Sequence, residues 1–163
     1  MSMIRSTTAI VLALGLLAAL PVGLARQGWA AGTSSASSNS SNPGGYDDAV
    51  AAVKAGNYDQ AIQLLQKVVA ASPQNPDALN YLGFSYRKTG NARQALVYYR
   101  KALDLQPKHI GANEYMGELY LEMKNLPKAE ERLAVLKQTC LDCEEYTELK
   151  EKIEQFKKTG QTS

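Results

Sequence analysis

The sequence is poor in the residues on which most catalytic and metal sites depend. It has one histidine, His109, and only two cysteines, Cys140 and Cys143. No serine lies in a nucleophile-elbow motif, so His109 has no nucleophile to serve in a triad. A glycine-rich phosphate-binding loop is absent as well. We therefore predict a protein that is not an enzyme and that has no catalytic residue, no cofactor and no metal site.

The chain also lacks an excess of charge of one sign. It has 18 basic and 16 acidic residues, and two of the basic ones, Arg5 and Arg26, lie in the N-terminal segment. After Ala30 the chain therefore has 16 basic and 16 acidic residues. A domain that binds nucleic acid usually carries a basic patch or stripe. We predict that this protein does not bind nucleic acid.

The first thirty residues have the three-part layout of a secretory signal. Arg5 precedes an apolar run over 9–20, and Pro21 interrupts the apolar character. Small residues then appear with the spacing that signal peptidases recognise, and we predict cleavage after Ala30. The uncharged stretch 6–25 is also long enough to span a bilayer, so an uncleaved membrane anchor is the alternative. Both interpretations predict export, with the periplasm as the expected compartment.

Residues 31–45 have the composition of a linker. They are rich in serine, glycine and asparagine and contain few apolar side chains. Such a segment cannot bury enough surface to offset the entropy lost on ordering. We expect a disordered tether over 31–45, a folded domain over 46–158 and a short disordered tail over 159–163.

A period of 34 residues runs through the folded domain. Small residues, tyrosines and prolines each recur in register at this spacing: Ala61, Ala95 and Ala129; Gly83 and Gly117; Tyr86 and Tyr120; Pro73 and Pro107. Self-similarity at such a period indicates an array of supersecondary units. We place three units at about 42–74, 75–108 and 109–141.

Capping residues divide each unit into two helices. In the middle unit Asn75 is placed to cap the first helix and Asn91 the second, and we expect Asn57 to act in the same way in the first unit. A seventh helix over about 143–158 follows, with a predicted capping box that starts at Asp142. Its apolar stripe is expected to cover the open end of the array.

Gly83 lies inside a predicted helix, where a glycine costs about 1 kcal/mol relative to alanine. Its recurrence as Gly117 indicates a packing role, because two helices joined by a short turn approach closely only where side chains are small. We expect Gly83 to face Ala95 across the helix crossing and Gly117 to face Ala129.

Together these positions resemble the tetratricopeptide repeat family. The middle unit matches the family signature throughout: Leu79, Leu82, Gly83, Tyr86, Gly90, Ala95, Tyr99, Ala102 and Pro107. The third unit departs from it at Lys124, which replaces the turn glycine, and at Leu141, which replaces the final proline. The resemblance implies an all-α fold, a right-handed α-solenoid of three helix-turn-helix units with a capping helix.

The resemblance also implies a site. In this family the first helices of the units line a concave groove that holds a peptide or a helix of a partner. The matching positions are Asn80, Tyr81, Phe84, Arg87 and Lys88 in the middle unit, Glu114, Tyr115, Glu118, Leu121 and Glu122 in the third, and Tyr46, Asp47, Val50 and Lys54 in the first. We expect Tyr81, Phe84 and Tyr115 to contribute most, because exposed aromatic residues are frequent binding hot spots. The alternative is that these rings are covered by the tether or the capping helix.

The Cys140/Cys143 pair admits several interpretations. Haem attachment is excluded because Glu144 stands where a histidine is required, and a tetrahedral metal site would lack two ligands. A thiol–disulfide exchange site is a further hypothesis, although its motif belongs to a strand–helix context that is not predicted here. We favour a structural disulfide, since neighbouring cysteines in an exported protein are usually oxidised.

The function expected from the sequence is a non-enzymatic adaptor or scaffold in the cell envelope. Its partner would be a protein or peptide that the sequence does not identify, and contact with a membrane would occur only through an uncleaved N-terminal segment. The alternatives are thiol–disulfide chemistry at Cys140 and Cys143 and self-assembly of the repeats into an oligomer. The sequence leaves the oligomeric state open.

Overall fold

The computed structural model of the protein describes residues 45–161. Within this range it contains seven α-helices and no β-strand: α1 Tyr46–Lys54, α2 Tyr58–Ala71, α3 Pro76–Lys88, α4 Ala92–Leu105, α5 Ile110–Glu122, α6 Leu126–Thr139 and α7 Glu144–Thr159. The predicted signal, nearly all of the predicted tether and the last two residues of the tail lie outside the described residues. The predicted all-α array of three helical pairs and a final helix is confirmed.

The helices form two layers. Each helix packs against its neighbours in the chain, and α1, α3, α5 and α7 also contact one another in succession. Among the described residues the second helices α2, α4 and α6 make no such contact with one another. The first helices therefore lie closer together than the second helices, so their exposed side is the concave face of the array.

Asparagine side chains cap three of the helices. Asn75 accepts a hydrogen bond from the Ala78 N–H at 3.0 Å, and Asn91 and Asn125 accept from the third residue after them at 3.3 Å. Two predicted caps are wrong. Asn57 precedes α2, but its side chain makes no capping hydrogen bond with any described residue. The capping box predicted to start at Asp142 does not form either, because Cys143 is the residue before α7 and its side chain makes no capping hydrogen bond within the described part of the chain.

His109 caps α5, a role that the sequence did not reveal. Its Nδ1 accepts a hydrogen bond from the Ala112 N–H at 3.1 Å, and its Nε2 lies 3.0 Å from Asp77 of α3. Because Nδ1 is the acceptor, Nε2 carries the proton and donates to the Asp77 carboxylate. The single histidine thus fixes the start of α5 and ties it to the preceding unit.

Gly83 allows α3 and α4 to approach closely. A Cβ atom at this position would lie 2.7 Å from the ring of Tyr99, which is fully buried. The predicted packing role is therefore correct, but the nearest neighbour is the large ring of Tyr99 rather than Ala95.

Gly117 occupies the equivalent position in α5 and contacts a different helix. A Cβ atom there would lie 2.5 Å from Leu149 of α7 and 3.3 Å from Cβ of Arg132. The nearest neighbour is thus not Ala129, as predicted, but the final helix. This close approach confirms that α7 packs on the third unit as its cap.

The turn inside each unit needs one residue in the left-handed conformation. Gly56 and Gly90 supply it in the first two units, with φ of 75° and 80°. In the third unit Lys124 takes the same conformation, with φ of 56°. A side chain with a Cβ atom is disfavoured there, so this turn carries backbone strain that the other two avoid.

Cys140 and Cys143 lie in the turn between α6 and α7. Their sulfur atoms are within bonding distance, and their Cα atoms are 5.3 Å apart. The pair joins the end of α6 to the residue before α7. No helix within residues 45–161 has both the length and the apolar character needed to cross a bilayer.

Candidate partner-binding groove

Aromatic rings follow the concave face across successive helices. Tyr46 of α1 contacts Tyr81 of α3, with ring centroids 6.2 Å apart. Tyr58 contacts Phe84 at 6.0 Å, and Phe84 contacts Tyr115 of α5 at 4.7 Å. All five rings are half-buried. Each therefore rests on the domain and presents part of its surface to solvent.

Three rings were predicted to contribute most to partner binding. Of these, Phe84 and Tyr115 contact each other, and Tyr81 contacts Tyr46. Tyr81 and Phe84 pack against the core cluster around Leu82, so their inner surfaces contribute to the fold. Burial, followed by the charge of Glu114, raises the pKa of Tyr115 to about 12. Its hydroxyl consequently stays protonated and can donate a hydrogen bond at neutral pH.

A cavity of about 360 Å³ lies beside the Phe84–Tyr115 pair, between α3, α5 and α7. We call it the acidic cavity, and its lining residues are Phe84, Arg87, Lys88, Glu114, Tyr115, Glu118, Glu144, Glu145, Glu148 and Lys152. The first six belong to the predicted groove. The four from α7 were not predicted, because the sequence indicated only a cap. Their helical spacing places them on one face of α7, but it does not indicate what that face contacts.

An ion-pair network crosses the acidic cavity. Arg87 of α3 pairs with Glu118 of α5, and also with Glu122 at 3.1 Å. Lys152 of α7 pairs with the same Glu118, and with Glu148 at 3.1 Å. Glu118 therefore connects three helices, and it is only 8% exposed. Arg87 and Lys152 hold the groove together rather than standing free for a ligand.

The side chain of Arg87 is also stacked against the aromatic pair. Its guanidinium carbon lies 5.7 Å from the centroid of Phe84 and 6.0 Å from that of Tyr115. Lys88 places its ammonium 5.3 Å from the same Phe84 ring on the exposed side. Burial on its own would lower the pKa of Arg87, but Glu118 and its neighbours outweigh burial and raise it. The aromatic wall thus already accommodates a cation with an apolar stem.

Glu114 differs from every other charge in the acidic cavity. It is 4% exposed, and it makes neither a hydrogen bond nor an ion pair with any described residue. Burial, followed by the charges of Glu118 and Glu148, raises the pKa of Glu114 to about 8. The carboxyl group is therefore mostly protonated at neutral pH, and it faces the cavity without a partner.

Glu114, Glu118 and Glu148 each bring a carboxylate oxygen within 4.8 Å of the other two. Such a cluster has the donor atoms that hard divalent cations prefer. However, the ammonium group of Lys152 already pairs with Glu118 and Glu148. A metal ion would have to displace that ammonium group, so the arrangement does not favour a metal site.

Four of the predicted groove residues are buried, and two of them, Asn80 and Leu121, do not line the cavity. Asn80 is 4% exposed and lies between α3 and α5, where its Nδ2 would be 3.1 Å from a Cβ atom at Gly111. Leu121 is 1% exposed and belongs to the core cluster that Phe156 of α7 packs against. The prediction for both is corrected, because α5 and α7 each cover part of the preceding first helix. Glu122 remains exposed, but it lies outside the cavity.

Comparisons with known proteins agree with this architecture. The model of the family described as Anaphase-promoting complex, cyclosome, subunit 3 matches residues 54–136, slightly more than half of the chain. No curated protein sequence matches this chain significantly.

Several solved structures share the fold. The type III secretion chaperone SycD of Yersinia enterocolitica, in complex with a peptide of the translocator YopD, is 19% identical, has a TM-score of 0.60, and the match covers 68% of this chain and 84% of SycD. The second TPR domain of human RPAP3, in complex with the HSP70 peptide SGPTIEEVD, is 18% identical with a TM-score of 0.60, and the match covers 66% and 90%. The TPR protein TTC0263 of Thermus thermophilus is 19% identical with a TM-score of 0.64, and the match covers 70% and 63%. At these identities the likeness establishes the fold alone.

Proposed function

We propose that this protein is a non-enzymatic adaptor. It belongs to the tetratricopeptide repeat proteins, since the model of the family described as Anaphase-promoting complex, cyclosome, subunit 3 matches more than half of the chain. Its working surface is the concave groove, where a segment of a partner protein lies across α3, α5 and α7. The observation that carries this proposal is the contact between Phe84 and Tyr115, two half-buried rings beside an open cavity. Such rings offer apolar area at little entropic cost to the protein.

The peptide complexes among the similar structures support a peptide as the ligand. SycD was solved with a YopD peptide and the human RPAP3 domain with an HSP70 peptide. The lining of the cavity in this groove has five glutamates and three basic residues, and this excess of negative charge disfavours a free carboxyl end. The partner segment is therefore expected to be internal rather than a free carboxyl end.

We also propose that the protein acts outside the cytoplasm. The signal-like layout of the first thirty residues supports export, and the proximity of Cys140 and Cys143 fits a structural disulfide in an oxidising compartment. The test is the mass of the protein recovered from the periplasmic fraction. A mature chain that begins at Ala31, with its cysteines unreactive to alkylation until reduced, is the expected result. An intact N-terminus in the membrane fraction would instead indicate the anchored form.

The groove is tested by site-specific photocrosslinking in intact cells. A photoreactive phenylalanine derivative replaces Tyr115, and a matched probe replaces Tyr98, which is half-buried on α4 outside the groove. We expect one adduct from the first position and none at the same mass from the second. The adduct should disappear when Phe84→Ala is added and circular dichroism shows that this variant is folded. Identical adducts from both positions would overturn the proposal.

A further inference from the structure

We infer that the acidic cavity receives an arginine or lysine side chain of the partner segment. The inference rests on the proposed function and specifies which residue the partner must carry. It follows from the charges that line the cavity, from one buried carboxyl group and from the aromatic wall.

The charges of the cavity are unequal. Its lining contains five glutamates against three basic residues, Arg87, Lys88 and Lys152. Glu118 and Glu148 are paired with basic residues of the protein itself. The other three glutamates, Glu114, Glu144 and Glu145, make no ion pair within residues 45–161. A ligand that brings a positive charge would complete the electrostatic balance of the cavity.

The buried position of Glu114 points to a ligand independently of this charge imbalance. Residue Glu114 is 96% buried, and a polar side chain in such a position normally has a hydrogen-bond partner, because an unsatisfied polar group loses hydration without compensation. Here the partner is missing among the described residues, and the group lines the cavity. A guanidinium or ammonium group would supply hydrogen bonds and a compensating charge together.

The groups that surround Glu114 limit what can bind beside it. Those with a charge or a titratable atom are Arg87 and Lys88 on α3, Tyr115 and Glu118 on α5, and Glu144, Glu145, Glu148 and Lys152 on α7. The position between Glu118 and Glu148 already holds the Lys152 ammonium. A new cation would therefore approach from the open side, towards Glu114 and the first turn of α7.

The shape of the cavity favours a long basic side chain over an isolated ion. One wall consists of the Phe84 and Tyr115 rings, against which the protein already stacks Arg87. An arginine or lysine places its apolar stem against such a wall and its charged end among carboxylates. A small hydrated ion would gain nothing from the rings.

The probe for this inference is a library of random twelve-residue peptides displayed on phage and selected on the full chain. We expect the enriched peptides to share an arginine or lysine at one position. A synthetic peptide with citrulline in place of that arginine keeps the shape but loses the charge. It should bind at least about tenfold more weakly, as expected for the loss of charge-assisted hydrogen bonds.

The matched variants are Glu114→Gln and Glu151→Gln. Both replace a carboxyl group with an amide of nearly the same shape, but Glu151 is exposed on α7 and does not line the cavity. Glu114→Gln should weaken binding of the arginine peptide by about tenfold and leave binding of the citrulline peptide unchanged. A double-mutant cycle detects this difference. Glu151→Gln should change neither. Affinity of the native chain for the arginine peptide should also rise between pH 6.5 and 8.5, as Glu114 ionises, and this rise should be absent in Glu114→Gln.

The two proposals fail in different ways. Enriched peptides that lose binding with Phe84→Ala and Tyr115→Ala, but tolerate citrulline and bind Glu114→Gln unchanged, would overturn the acidic cavity as a cation site and leave the groove standing. A selection that yields no peptide sensitive to either aromatic substitution would overturn the groove and, with it, the cation site.

Discussion

Helices α3 and α5 occupy the same place in successive units, 34 residues apart, yet they are covered differently. Six of the 13 residues of α3 are buried, whereas nine of the 13 in α5 are. The difference arises because α7 lies more closely on α5 than α5 lies on α3. Position 87 of α3 is an arginine that stacks on aromatic rings, while the equivalent Leu121 of α5 is core. The repeat register therefore determines where a residue is placed, but the following helix determines whether it is exposed.

The largest expected effect comes from removing the contact that distinguishes α5. Leu149 of α7 is fully buried against Gly117. Leu149→Ala should lower the free energy of unfolding by about 2–5 kcal/mol, the range for a buried leucine that leaves a cavity. Urea denaturation measures this. The control is Leu96→Ala on the half-buried side of α4, which should cost less. A smaller loss from Leu149→Ala than from this control would show that α7 is not part of the cooperative fold.

The two helix glycines sharpen the comparison. Gly83→Ala forces a methyl group against the ring of Tyr99, which is enclosed and rigid, and should destabilise by about 1–3 kcal/mol. Gly117→Ala meets the terminal methyl groups of Leu149, which can rotate, and alanine also favours the helix. We therefore expect Gly117→Ala to lose distinctly less stability than Gly83→Ala. Thermal unfolding of both variants measures the difference, and a larger loss for Gly117→Ala would contradict it.

The turns provide a pair of opposite substitutions. Gly90→Ala places a Cβ atom on a residue with φ of 80° and should destabilise by about 1 kcal/mol. Lys124→Gly relieves the strained turn of the third unit and should stabilise by a similar or slightly smaller amount, since glycine also gives the unfolded chain more freedom. Melting temperatures that shift in the same direction for both would contradict the assignment of strain to Lys124.

The last comparison between α3 and α5 concerns a pH dependence that is confined to the third unit. The position of Glu114 is taken in α3 by Asn80, which does not titrate. Because the pKa of Glu114 is raised to about 8, the folded protein holds a proton that the unfolded chain releases at lower pH. Stability contributed by this group should therefore fall as pH rises from about 4.5 to 8. Glu114→Gln should remove that slope and raise the melting temperature at pH 8.5 above that of the native chain. An unchanged slope in the variant would contradict the raised pKa.

The sequence predicted most of the fold because the repeat is carried by residues in register. Helix bounds in the middle unit followed from Asn75 and Asn91, and the close approach at Gly83 followed from its recurrence. The identity of the facing residue did not follow, since the period gives positions along the chain but no distance between side chains. The large ring of Tyr99 therefore replaced the expected Ala95.

The candidate site was predicted only where it belongs to the repeat. Phe84, Arg87 and Tyr115 lie together at the cavity because each unit repeats the orientation of its first helix. The contribution of α7 was missed, since this helix follows the last unit and has no register from which Glu144 or Lys152 could be assigned to a face. The burial of Leu121 was missed for the same reason.

The double role of α7 has a consequence for how such a protein can change over evolutionary time. Repeat arrays commonly lengthen or shorten by whole units, and a unit duplicated before α7 would move this helix away from α5. The fold would still be capped, but Glu144, Glu145 and Glu148 would face a different first helix, and Glu114 would lie opposite the inserted unit. A change in the number of repeats would therefore also change which residues line the acidic cavity. The composition of this cavity depends on the length of the array.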